Sequence, residues 1–331
     1  MKKFLKKIFP FIAFILVLEI AVPIVVDPYN VFHWYQIRDN GVEPNSNYIK
    51  MEYILANPDK FDSFLFGSSR TGFINVENIP DGSWYNMSYS EGVPEEHLEN
   101  LEVMIENGII PRNVMIGVDN ISCFVDPNLH EDEFYRIPYP TGSKLSFYSN
   151  YLSMRGVLLS LDTILSYEPD DPDYVDRFYR SGSSVGDLSL AGTFEEDVPY
   201  WDDYYTDYVQ DCLYALMDIQ DLCDEYGINL IIFTNPIYYK TYEESVYYGY
   251  ENFMERMLEV IDGYYNFSGI NDITSDKNNY YESSHYTEEI GEMIIDYIFN
   301  GASDEELESQ GLGVYVTYYN LDEFLEALDS G

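Results

Sequence analysis

Apolar and polar positions along this chain fall into three kinds of stretch. The first is the run Ile8–Val26, apolar apart from Glu19 and preceded by Lys2, Lys3, Lys6 and Lys7. That length suits a single membrane span with the lysines on the cytoplasmic side. A cleaved signal peptide is the rival reading, but the run is long for an h-region and no small-x-small cleavage site stands before Asp27. The expectation is a basic cytoplasmic end at 1–7, an uncleaved anchor at 8–26, and everything after it outside the cytoplasm. Glu19 is costly in lipid. It either meets another membrane protein or sits near enough to one end to be hydrated.

After a juxtamembrane connector at 27–58, which carries His33 and Trp34, the second kind of stretch alternates short apolar runs with helical periodicity. Strands are expected at 63–66, 114–118 and 229–233. Between them, Pro94 opens a helix carrying Leu98, Leu101, Met104 and Ile105, which Gly108 ends. Val209, Cys212, Leu213, Leu216, Ile219 and Cys223 share a second helix, with Gly227 as its stop. Further helices are expected around 251–261 and through Ile290, Met293, Ile294, Tyr297 and Ile298. Strands alternating with helices predict an α/β domain at 59–300 with a parallel sheet covered on both faces.

The third kind is irregular. Residues 125–205 are acidic and rich in Tyr, Pro and Ser, and read as an insertion over the sheet's active edge with some helix near 157–164. Its run Glu168-Pro169-Asp170-Asp171-Pro172-Asp173 lacks the alternating ligands and turn glycine of an EF-hand loop, so it reads as a solvated acidic loop. The tail 301–331 is a C-terminal extension with a strand at 314–318 and a short acidic helix.

Composition narrows the partners. Of 331 residues, 59 are acidic and 17 basic, a formal net charge of -42, which repels nucleic acid. Thirty-four tyrosines suit either sugar-stacking platforms or a wet amphipathic surface. Cys212 and Cys223, eleven residues apart on one helix and so roughly 16 Å apart, cannot bridge. The fold does not depend on disulfides.

The chemistry centres on Phe64-Leu65-Phe66-Gly67-Ser68-Ser69-Arg70, a buried strand ending in a glycine and two serines. Taken alone, Gly-Ser-Ser reads as a plain turn. A serine at the carboxyl edge of a parallel sheet becomes a nucleophile when a base reaches it. Of four histidines, His33 is juxtamembrane, His97 falls on the polar side of its acidic helix and His130 lies in an acidic loop. His285 stands in a turn before a helix, three residues after Glu282, a spacing that lets the acid orient the ring. Glu282 is otherwise one more surface carboxylate. One histidine among carboxylates is a poor zinc set, and the strand end lacks the second glycine and lysine of a P-loop, so neither a metal nor another cofactor is expected.

Four blocks, in order, resemble the SGNH/GDSL hydrolase superfamily: Gly67-Ser68-Ser69, Gly92, Gly117-Val118-Asp119-Asn120 and Glu282-x-x-His285. The resemblance spans roughly residues 60 to 300. It implies a three-layer α/β/α sandwich, a triad of Ser69, His285 and Glu282, and an oxyanion hole from the backbone N–H groups of Ser69 and Gly92 with Asn120 assisting. Two departures stand out. Glu282 replaces the family's usual Asp, and Asp119 falls where the family keeps an Asn, while Ser68 takes the place of the Asp in Gly-Asp-Ser. The phrase Asn278-Asn279-Tyr280-Tyr281-Glu282-Ser283-Ser284-His285-Tyr286 and the single anchor are most similar to membrane-anchored SGNH-like proteins of bacterial cell-surface pathways. Those act beside a membrane-bound O-acyltransferase in D-alanylating teichoic acids, or transfer acetyl groups in exopolysaccharide assembly. Implied here is a serine acyltransferase or esterase working outside the cytoplasm on a cell-surface glycan or teichoic acid. The alternative is a retired domain of the same kind that binds glycan or scaffolds the acyltransferase.

Overall fold

A computed structural model describes residues 2–128, 133–167, 171–195 and 206–330. His130 and the Glu168-Pro169-Asp170 start of the acidic run lie outside the described residues. The chain divides into two compact units, residues 1–56 with 130–177, and residues 57–129 with 178–331.

The second unit is mixed α/β, built on a six-stranded, mostly parallel sheet. Its strands are β1 (Ser63–Gly67), β2 (Trp84–Asn86), β3 (Asn113–Val118), β4 (Asn229–Thr234), β5 (Tyr264–Asn266) and β6 (Val314–Val316), in the order β2-β1-β3-β4-β5-β6. The first five run parallel, and β6 joins β5 antiparallel with Tyr264 opposite Val316. The tail, expected as an extension, therefore supplies the sheet's edge. Consecutive residues of a strand face opposite sides, yet Phe64, Leu65 and Phe66 are all buried, so both faces of β1 are covered. Leu65, Met115 and Phe233 pack with Ile290, Ile294 and Ile295 of the helix Glu288–Phe299. Each such side chain stabilises the fold by about 1.5–3 kcal/mol relative to exposure.

Most sequence punctuation acts as expected. Pro94 opens the helix Pro94–Glu106, with Gly108 following at φ 83°, and Gly227 caps Val209–Tyr226 in the left-handed region at φ 69°. The helix expected at 251–261 runs Tyr250–Met257. Cys212 and Cys223 share one helix, and all three cysteines are free and buried. His97 corrects the sequence reading: it is buried at 2% exposure, its ring 5.5 Å from Phe66 and 5.6 Å from Tyr89. The reason is helical phase. His97 precedes Leu101 by four residues and Met104 by seven, which places it on the buried stripe.

The first unit contains the helix Lys2–Val26, whose segment Ile8–Val26 is long and apolar enough to cross a membrane, with a mean hydropathy of 2.7. The connector is not merely a tether. Asn45 accepts from Tyr48 N at 2.9 Å and donates to Ile137 O at 2.8 Å, while Glu52 of the helix Ser46–Ala56 accepts from Tyr139 Oη at 2.8 Å and pairs with Lys144. The connector and the first half of the insertion thus fold together. The insertion's helix, expected near 157–164, runs Met154–Ser166.

Candidate active site

Where the chain leaves β1 it must turn sharply. Gly67 sits at φ 154°, and a Cβ there would lie 2.2 Å from Thr71 Oγ1, so only glycine fits. Ser68 is extended, and Ser69 opens the short 3-10 helix Ser69–Phe73. In the strand order 2-1-3-4-5 the direction of winding reverses between β1 and β3, and the crevice beyond their carboxyl ends is where such sheets bind ligands. Ser69 follows β1 and Asp119 follows β3, so both stand at that point.

His285 arrives from the loop before Glu288–Phe299. A bridge between Tyr280 and Tyr286 closes that loop, and Tyr281 N donates to His285 O at 2.9 Å. Arg70 Nε, next to the serine, donates to Ser284 O at 2.9 Å and ties the loop to the end of β1. Glu282 folds back over its own backbone, accepting from Ser284 N and His285 N, each at 2.9 Å, and hydrogen-bonds to His285 Nδ1. A carboxylate at Nδ1 fixes the proton there and leaves Nε2 as acceptor. Ser69 Oγ lies 2.8 Å from that Nε2 and donates to it. Burial pushes the Glu282 carboxyl up. The hydrogen bond and charge of His285 and the two backbone N–H groups outweigh that, so its pKa falls below the usual carboxylate value.

Beside the relay is a buried polar cluster. Arg70 and Asp119 are both 0% exposed and form an ion pair at 3.2 Å. Asp119 Oδ2 also accepts from Ser68 Oγ at 2.7 Å and Asn235 Nδ2 at 3.1 Å, while Oδ1 caps the helix Asn120–Phe124 by accepting from Ile121 N at 2.9 Å and Ser122 N at 3.3 Å. Arg70 Nη1 donates to Asn120 Oδ1 at 2.7 Å, and Tyr286 Oη donates to Asn235 Oδ1 at 2.9 Å. A buried charge pair persists only with this degree of hydrogen bonding.

The structure therefore joins Ser69, His285 and Glu282 in one continuous hydrogen-bonded line. Asp119 and Asn120 it joins to Arg70 instead. Asp119 is a helix cap and counter-ion, and as a carboxylate it accepts every hydrogen bond named for it. Gly92 N–H donates to Tyr89 O at 3.2 Å, and a Cβ on Gly92 would lie 2.5 Å from Gly67 O. Its glycine is needed for close approach to the end of β1. Sequence reasoning gave no role to Arg70 or Asn235. The available signals were an arginine beside the serine in a chain this acidic, and an amide at the carboxyl end of β4.

The insertion's second half runs along this loop. Ser184 N donates to Gly72 O at 2.8 Å, Gly186 N to Glu288 Oε1 at 2.7 Å and Gly192 N to Tyr280 O at 2.9 Å. Gly186 passes so close to Tyr281 that a Cβ would meet its ring at 2.3 Å. Residues 184–192 thus brace both the 3-10 helix and the histidine loop. Protein-family models, curated proteins and solved structures contain no match to this chain.

Proposed function

We propose that this chain is a serine acyltransferase or esterase of the SGNH type, anchored by Ile8–Val26 with its sheet domain outside the cytoplasm, acting on O-acyl groups of a cell-surface glycan or teichoic acid. The single observation that carries the chemistry is the line Ser69 Oγ–His285 Nε2 at 2.8 Å, continued from His285 Nδ1 to Glu282. The four ordered blocks support the family and its three-layer sandwich, and with the anchor they support the substrate class.

In this reading Ser69 Oγ attacks the acyl carbonyl carbon while its proton passes to His285 Nε2. Glu282 stabilises the imidazolium. Collapse of the tetrahedral intermediate expels the donor alcohol, which takes the proton back and leaves the acyl group on Ser69. A sugar or polyol hydroxyl, or water, then attacks the ester with His285 again as base. The developing oxyanion meets Ser69 N–H, at the first turn of the 3-10 helix, where N–H groups lack intrahelical acceptors. Asn120 is the amide that the family resemblance assigns to this oxyanion. Arg70 at its Oδ1 fixes which end of that amide carries the NH2 group.

The test is fluorophosphonate labelling of the full-length chain in detergent or vesicles, beside Ser69→Ala, His285→Ala and Ser68→Ala. Labelling lost in Ser69→Ala and His285→Ala but kept in Ser68→Ala supports the triad. A folded wild type that never labels, with a membrane-bound O-acyltransferase present or absent, supports the scaffold instead.

A further inference from the structure

The helix Met154–Ser166 is built inside out. A surface helix in water turns its large apolar side chains inward and its polar ones outward. Here the buried positions are Gly156, Val157, Ser160 and Thr163, while Met154, Leu158, Leu161 and Leu165 are 42%, 61%, 46% and 83% exposed. Spaced by four, three and four residues, these exposed side chains form one stripe along the helix. The hydroxyls on the buried face satisfy themselves without water. Ser160 Oγ donates to Gly156 O at 2.7 Å and Thr163 Oγ1 to Leu159 O at 2.8 Å.

The small-residue face meets the apolar helix Lys2–Val26. The two helices pack together, and a Cβ on Gly156 would lie 3.2 Å from Pro23 Cγ. Small residues that let two backbones approach, and hydroxyls returned to the preceding turn, are features of helix packing in membranes. Pro23 is three residues from the end of its helix at Val26, roughly 4.5 Å along the axis, a depth of interface rather than bilayer centre.

We propose that the helix Met154–Ser166 lies in the outer interface of the bilayer beside the anchor, with Met154, Leu158, Leu161 and Leu165 against lipid acyl chains. This rests on Ile8–Val26 being a span. Lipid is the occupant favoured over a second copy or another protein because the stripe belongs to a helix already seated on the anchor, whose own outer surface is apolar. Ile20 and Val25 there are 50% and 68% exposed. Flanking the stripe, Asp162 faces solvent and Arg155 pairs with Glu133 at 2.8 Å, as suits a helix whose edges meet headgroups. Two adjacent contacts would hold this unit in a fixed attitude on the membrane, where a single helix would let it swivel.

The three native cysteines are buried, so a cysteine introduced on the stripe can be labelled selectively. Full-length Leu158→Cys, Leu165→Cys and, as the anchor control, Val17→Cys would carry an environment-sensitive nitrobenzoxadiazole dye in phosphatidylcholine–phosphatidylglycerol vesicles containing both a shallow and a deep nitroxide lipid. The expected result is a blue shift and loss of emission at 158 and 165 as well as at 17. Quenching at 17 alone overturns the interfacial helix and leaves the anchor standing. A blue shift at 158 and 165 without quenching also overturns it, since protein then covers the stripe. Absence of quenching at all three positions overturns the anchor and this proposal together.

Discussion

Arg70 Nε donates to Ser284 O at 2.9 Å, so the residue following the proposed nucleophile Ser69 holds the residue preceding the proposed base His285. The same guanidinium neutralises Asp119 at 3.2 Å in a site closed to solvent. Replacing Arg70 by Met leaves Asp119 a buried, uncompensated charge, a loss of about 3–5 kcal/mol. Arg70→Lys cannot bond Ser284 O, Asn120 Oδ1 and Asp119 together, because an ammonium lacks the planar fork. The expected outcome is a lower melting temperature for both variants and slower fluorophosphonate labelling for Lys. A Lys variant that labels at the wild-type rate would remove Arg70 as a positioning residue.

Ser68 Oγ donates to Asp119 Oδ2 at 2.7 Å, and these are two positions where the chain departs from the family it resembles. The pair thus holds one carboxylate, at 119, and one hydroxyl donor, at 68. Ser68→Asp alone sets two carboxylates together, and Asp119→Asn alone leaves the buried Arg70 without its anion, although Asn still caps a helix. The double variant Ser68→Asp/Asp119→Asn restores one carboxylate, so a double-mutant cycle in thermal unfolding should show coupling at the upper end of the usual range, about 2–3 kcal/mol. Additive single effects would show that the two positions do not compensate.

How much of this was legible in the sequence depends on how local each feature is. β1, β3 and β4 announced themselves as short apolar runs closed by glycine or polar residues, and His285 stood out because only its neighbourhood combined a turn with an acid three residues earlier. The cluster around Arg70 was not legible, since each bond joins distant parts of the chain, such as 70 with 284 and 119 with 235. The helix Ser46–Ala56 was missed for another reason. Positions 47 to 54 are buried without interruption, so it has no polar face and hence no period to read. His97 was misread because the stripe was drawn through Leu98.

Glu282, one methylene longer than the aspartate of the family this chain resembles, takes up its length by folding back onto Ser284 N and His285 N. Aspartate at 282 can reach those same N–H groups, because an acid often caps the backbone two and three residues on. Glu282→Asp should therefore retain most labelling, whereas Glu282→Gln keeps the size, loses the charge that stabilises the imidazolium, and should fall by about 10²–10⁴-fold. The pKa of Glu282 is depressed in the folded chain, so its contribution to stability is present above the ordinary glutamate pKa and is lost as pH falls through the lower folded value. Labelling rates of the three forms between pH 4 and pH 8 separate the roles. Equal rates for Gln and Glu would remove the acid from the triad.

Glu95, in the first turn of Pro94–Glu106, runs the other way. Burial pushes its carboxyl up to about 7, with Glu96 and Asp211 adding like charge. A pKa raised on folding means that the native state is favoured while the group is protonated. That stability is full below the unfolded value near 4.5 and is lost as pH rises through about 7. Glu95→Gln keeps the shape and removes the titration. It should therefore unfold at a higher temperature than the wild type at pH 8, by a free energy of about 1–3 kcal/mol, and show no gain at pH 4. Differential scanning of both proteins across that range gives the answer, since parallel curves would show that the carboxyl is solvated and that the helix start tolerates its charge.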